Sequence, residues 1–279
     1  MAKFIKDSFV FFEGFYSEEV FNLDNSDLEK KIDYIITNKI KSISIDTTLI
    51  EFDFLKKIDF IEGVYVSENI ILENFYTLKN LKRIVFNIKK KKLEINFSKF
   101  PKMELLSIDW HKDFPDLSKN ENLKDLSIWN FKPKSKSFSE LSLPKNLEKL
   151  QITESNILNL EGLVLGNLKE FQAHHCNSLE TVKGIENFSD KLTILVLDYC
   201  KKLFEYDDLK YPKYLEKLIL GDCGDIPNLN WLKNLKNLKH FSFWNTKLID
   251  GNTSPCFGIN YVCFKNQKYY NCKEEEFNN

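Results

Sequence analysis

Residues 192–200 read Leu-Thr-Ile-Leu-Val-Leu-Asp-Tyr-Cys. The same phrase returns in residues 215–223 (Leu-Glu-Lys-Leu-Ile-Leu-Gly-Asp-Cys) and 168–176 (Leu-Lys-Glu-Phe-Gln-Ala-His-His-Cys). Each is an apolar residue, two variable ones, an apolar residue, one variable, an apolar residue, two variable, and a cysteine. The second and third apolar positions lie two apart, a spacing that puts both on one face of a short strand. Outward from this core the apolar triplet recurs as Ile40/Ile43/Ile45, Ile61/Val64/Val66, Leu81/Ile84/Phe86, Met103/Leu106/Ile108, Leu123/Leu126/Ile128, Leu147/Leu150/Ile152, Leu238/Phe241/Phe243 and a degenerate Ile259/Val262/Phe264. Successive starts fall 20 to 24 residues apart. Such a period predicts stacked turns, each laying one strand beside the last and returning by a loop. No single turn can bury its apolar row, so the turns stack into one continuous core.

The chain has 279 residues, 43% of them hydrophobic, enough for a substantial core. A repeat running nearly end to end argues for one elongated domain. The formal net charge is −1, and Arg83 is the only arginine. That balance argues against nucleic acid and against an anionic membrane surface, because arginine is the usual bidentate reader of phosphates and guanine edges. Asp7 and Glu13 interrupt the apolar N-terminal run, which therefore does not read as a signal peptide. No stretch reaches the roughly 18 apolar residues of a membrane helix. Cys176, Cys200, Cys223, Cys256, Cys263 and Cys272 are expected to be free thiols in a reducing cytoplasm.

Three regions follow. Residues 1–39 precede the repeats as an N-terminal cap. Within them Ser26 and Glu29 have the spacing of a capping box, and Leu28, Ile32, Ile35 and Ile36 share one helical face, predicting a helix over 27–38. Residues 40–250 hold the repeats. Residues 251–279 hold the degenerate last copy, an aromatic C-terminal cap around Tyr269 and Tyr270, and a frayed tail from Lys273.

On these triplets, and on connectors such as Leu229-Asn230-Trp231-Leu232-Lys233-Asn234-Leu235, the chain resembles the leucine-rich repeat family, chiefly its bacterial cytosolic and internalin-like branches. The resemblance covers about residues 40–264. It implies an α/β solenoid, a horseshoe with a concave parallel sheet, an N-terminal helical cap and a C-terminal aromatic cap. The family often carries an Asn ladder nine residues into each repeat. Here that column reads Thr48, Asn69, Lys89, His111, Phe131, Ser155, Cys176, Cys200, Cys223, Thr246 and Gln267, and the repeats from Lys89 to Phe131 are irregular.

Chemistry-bearing constellations are few. Cys176, Cys200 and Cys223 occupy one column on consecutive turns, which predicts small buried side chains whose thiols bond loop carbonyls weakly; structural zinc would want a fourth ligand. His174, His175 and Cys176 are adjacent, but the register turns the cysteine inward and the histidines outward. No nucleophile elbow, metalloprotease helix motif or phosphate loop is present. The sequence thus predicts no enzyme, no metal and no cofactor. The run Lys89–Lys92 reads as a solvated connector.

The functional expectation rests on what the strands leave exposed. Just after the third apolar position come Asp109, Trp129, His174, Asp198 and Trp244; one residue on come Trp110, Glu154, His175, Tyr199 and Asp222. Trp and Tyr ringed by polar groups are enriched at binding hot spots. The face is expected to be acidic with aromatic anchors, suiting a basic protein partner. The chain is therefore expected to be a non-catalytic binding scaffold, and the caps over its strand edges predict a monomer when unbound. Some proteins of similar appearance are immunity proteins that neutralise a toxin, here expected to be basic. The alternative is a secreted or surface effector or adhesin that binds a host protein.

Overall fold

The structure is a computed structural model and describes residues 2–15, 17–46, 48–49, 51–67, 72–87 and 95–278. The chain forms two compact units, Met1–Lys124 and Asp125–Asn279. The first contains β1 (Lys3–Lys6), β2 (Phe9–Glu13), β3 (Glu19–Leu23), α1 (Leu28–Asn38), β4 (Ser42–Ile45), β5 (Gly63–Ser67), β6 (Arg83–Asn87) and β7 (Leu105–Asp109). The second contains β8 (Asp125–Trp129), β9 (Lys149–Thr153), β10 (Glu170–His174), β11 (Ile194–Asp198), β12 (Lys217–Gly221), β13 (His240–Ser242) and β14 (Tyr261–Cys263).

Every apolar triplet has produced one strand, β4 through β14. Pairing is parallel and without slippage: Phe171 lies opposite Leu195, Leu195 opposite Leu218 and Leu218 opposite Phe241. Parallel neighbours need a crossover, and the chain supplies it with short 3-10 turns such as Asp53–Ile58, Ile185–Phe188 and Asn230–Asn234. Each turn sends apolar side chains back under the sheet. Phe138 and Phe188 pack on Phe171 with ring centroids 6.2 and 5.5 Å away, so the strand row and the return row make one core. Gly184 opens one return at φ 98°, where a Cβ would sit 2.5 Å from the Leu160 carbonyl carbon.

At four positions of the ladder column the side chain reaches a backbone carbonyl of an earlier turn. Ser155 Oγ donates to the Phe131 carbonyl at 2.6 Å and Thr246 Oγ1 to the Leu220 carbonyl at 2.7 Å. The buried thiols of Cys200 and Cys223 lie 3.7 and 3.3 Å from the carbonyls of Ala173 and Leu197. Polar side chains of any kind that reach these carbonyls do the work of the Asn ladder. Among the middle repeats β7 and β8 are ordinary strands; Lys89–Lys92 lies outside the described residues.

Three expectations are corrected. The region before the repeats holds three strands as well as a helix: β1 pairs antiparallel with β2, β2 with β3, and β3 runs parallel to β4. Phe11, Phe21 and Phe9 pack there as a ring cluster, which is why this stretch is so aromatic. The helix forms, but without a capping box. Asp27 occupies the cap position in a left-handed conformation with no side-chain bond, and Ser26 turns back to Asp24, which also receives Lys31. The C-terminal residues are docked rather than frayed. Phe277 packs on Phe257 at 4.7 Å, and the Asn278 amide accepts from Val262 N at 2.9 Å and donates to Val262 O at 2.7 Å.

Candidate functional site: the open sheet face of the second unit

A strand with Leu195 and Leu197 turned inward must turn Ile194, Val196 and Asp198 outward. Burial follows that alternation along β9 to β12. Beyond each strand the chain turns at one residue in the left-handed region: Asn130, Glu154, His175, Tyr199, Asp222 and Asn245, all with φ between 48° and 56°. Several of their N–H groups continue the ladder: Glu154 N bonds His174 O, His175 N bonds Asp198 O and Tyr199 N bonds Gly221 O, each at 2.9 Å. Side chains at this corner therefore project from the rim of the sheet rather than from its flat face.

Of the residues expected from sequence, Trp129, Glu154, His174, His175, Asp198, Tyr199, Asp222 and Trp244 lie in the second unit, and Asp109 and Trp110 in the first. Trp129 and Trp244 are exposed, 38% and 48% respectively, and Tyr199 is 38% exposed. Tyr199 stacks on His175 with centroids 4.6 Å apart, and Lys201 Nζ lies 5.8 Å from its ring. Trp110 is half-buried and stacks on Phe114 at 5.0 Å within its own loop. The neighbouring column residues Thr47, Glu68 and Ile88 lie outside the described residues.

His174 is held at both ring nitrogens. Nε2 is 2.9 Å from Gln172 Oε1, and Nδ1 is 3.4 Å from Asp198 Oδ2. The Gln172 amide donates in turn to Glu170, which lies 3.5 Å from Lys149. That donation fixes the amide orientation and leaves its oxygen for His174. An imidazole engaged on both sides is fixed in orientation by its neighbours. His174, His175 and Cys176 face three different ways: toward Asp198, onto Tyr199, and back to the His174 carbonyl at 3.5 Å. Among the described residues no group of three or more His, Cys, Asp or Glu side chains could hold a metal ion.

The acidic character needs a correction. The outward column nearest the strand starts brings Lys149 and Lys217 onto the same face, with Glu170, Ile194, His240 and Tyr261. Burial, with Lys217 adding to it, pushes the His240 imidazole below its usual value, and its ring stacks on Tyr261 at 4.6 Å. The carboxylates of Glu154, Asp198 and Asp222 concentrate at the corner rim, whereas the opposite rim mixes both signs. Strand alternation alone would have located this column, since position i−2 from an outward residue is also outward. Between the rims, Val196 and Ile219 lie side by side as a half-buried apolar strip.

No family model matches the chain, and no curated protein is similar to it in sequence. Solved structures are similar in fold. The functional domain of InlJ from Listeria monocytogenes, which includes a cysteine ladder, gives a TM-score of 0.52 at 15% identity over 81% of this chain and 61% of that one. A TLR13 chain solved in complex with ssRNA13 gives 0.50 at 17% identity over 78% and 35%. An internalin (inlF) from Listeria monocytogenes gives 0.45 at 15% identity over 89% and 87%. The chain thus spans less than two thirds of the InlJ domain and about a third of the TLR13 chain. With one parallel strand per turn, 3-10 returns and a buried ladder of thiols and hydroxyls, the chain has the leucine-rich repeat fold.

Proposed function

We propose that this chain is a non-catalytic scaffold that grips one protein partner on the open sheet face of its second unit. The observation that carries the reading is the pairing of exposed aromatics, Trp129, Tyr199 and Trp244, with a carboxylate rim of Glu154, Asp198 and Asp222. Domains of this fold generally bind proteins, and a large aromatic left in water beside charged groups is the usual make-up of a hot spot. The rim favours a partner that presents a basic surface there. The finer reading is an immunity protein acting as a monomer in the cytoplasm against a basic toxin. Six free cysteines, four of them buried, support a reducing compartment.

The test compares the full chain with Trp129→Ala, Trp244→Ala and Glu154→Lys as baits in lysate of the native cell. Each substitution is expected to lower recovery of the wild-type partner at least tenfold, with the melting temperature nearly unchanged. Undiminished capture by all three would remove this face from the function. A partner with an acidic contact surface would remove the toxin reading while leaving the scaffold intact.

A further inference from the structure

Part of the sheet face of the first unit is already covered, at Tyr65. Tyr65 points outward from β5 between inward Val64 and Val66, yet is only 2% exposed. What covers it is the chain joining β2 to β3. Phe15 N donates to the Tyr65 hydroxyl at 3.1 Å, and that hydroxyl donates to Glu18 Oε1 at 2.5 Å. The Phe15 ring lies over Tyr65 with centroids 6.4 Å apart. Arg83 Nε sits 3.3 Å from the same Glu18 oxygen, and its Nη2 donates to Ser42 Oγ at 3.0 Å. Ser42, Gly63 and Arg83 are opposite one another on β4, β5 and β6. The guanidinium can cross β5 only because Gly63 has no side chain; a Cβ there would sit 2.5 Å from Ser42 Oγ and 3.4 Å from Arg83 Nε.

We propose that Ser42, Tyr65 and Arg83 form a carboxylate-recognising site on the first unit, and that Glu18 is its built-in occupant. The site is independent of the reading of the second unit. Its ligand class is an extended, glutamate-bearing segment of another protein, which would enter by displacing Phe15 and Glu18. Three observations support recognition rather than mere latching. The chain's only arginine and a buried phenol converge on one carboxylate oxygen, the phenol by a hydrogen bond and the guanidinium as an ion pair at 3.3 Å in which Nε makes no hydrogen bond. Glu18 and Arg83 side chains remain 19% and 22% exposed, so a rival carboxylate can reach the rim of the site. The covering segment is strained and ill covered: Ser17 sits at φ 58°, and Phe15 is 48% exposed. A tethered occupant acts at an effective concentration in the mM range, so a free segment competes poorly until Glu18 is withdrawn.

The probe is a fluorescein-labelled peptide Glu-Gly-Phe-Tyr-Ser-Glu-Glu, the sequence of residues 13–19, titrated by anisotropy against the full chain. Full-length Glu18→Ala is expected to bind it at least tenfold more tightly than wild type. A peptide with Gln in place of its penultimate Glu, and the double variant Glu18→Ala/Arg83→Ala, are each expected to lose that gain. Glu18→Gln, which keeps the side-chain shape, is measured in parallel should Glu18→Ala melt early. The proposal is overturned if a variant that melts near wild type shows no gain, or if the Gln peptide binds as well as the Glu peptide.

Discussion

Two carboxylates behave in opposite ways for reasons visible around them. Glu62 lies between Lys82 at 3.0 Å and Lys41 at 3.3 Å. The Lys82 hydrogen bond, outweighing burial and helped by Lys41, holds its carboxyl below the usual 4.5. A depressed folded value means the stabilisation is complete above that ordinary value and drains as pH falls through the lower one. Urea unfolding between about pH 6 and about pH 3 should therefore show Glu62→Gln with a flatter acid limb, by at most about 1 kcal/mol. Glu154 has no such support and sits at φ 56°, where an L side chain costs roughly 1–2 kcal/mol. Asn tolerates that region, so Glu154→Asn should raise stability by about 0.5–1 kcal/mol in chemical unfolding while weakening partner capture. A carboxylate kept at a strained corner in spite of a better-fitting residue is consistent with a contact role.

One turn of the repeat is held by its ladder position as much as by its leucines. Thr246 Oγ1 donates to Leu220 O at 2.7 Å and accepts from Cys223 N at 2.9 Å, all buried. Thr246→Val keeps the volume and orphans both backbone groups, so it should cost about 1–3 kcal/mol by chemical unfolding. Leu218→Ala on the same sheet should cost roughly 2–5 kcal/mol. Burial also governs the thiols. Neighbouring Cys176 and Cys223 together with burial push Cys200 well up, and burial pushes Cys256 up to about 12. Titration with a disulfide reagent should find Cys263 and Cys272, which are half-buried, reacting first and the four buried thiols only on unfolding.

The ends of a repeat array decide whether it stays soluble, because the last strand offers unpaired N–H and C=O groups. At β14 the Asn278 amide takes both groups of Val262, as a neighbouring strand would, and Phe277 covers Phe264 with centroids 6.0 Å apart. Ending the chain after Asn271 should therefore produce concentration-dependent association through β14, read by light scattering, beyond any shown by the chain that keeps residues 272–279. At the other end β1 carries Lys3 and Lys6, whose charges oppose edge pairing even though Ile5 is 73% exposed.

How much was legible follows from range. The 20- to 24-residue spacing of the apolar triplets fixed every strand from β4 to β14 and the face each side chain takes, because alternation along a strand is a local property of the backbone. The helix over 28–38 was legible for the same reason, its apolar residues sharing one side. Asp198, His174 and the exposed tryptophans at the strand ends were reachable by counting. The corner conformation at Tyr199 and Glu154 was not, since φ there is imposed by the closing of each turn onto its neighbour. Nor was the hold of Tyr65 and Arg83 on Glu18, or of Asn278 on Val262. Those contacts join residues 47, 65 and 16 positions apart, and no periodicity in the chain encodes them. They exist because stacking brings distant side chains over the same strip of sheet, where burial favours pairing of polar groups.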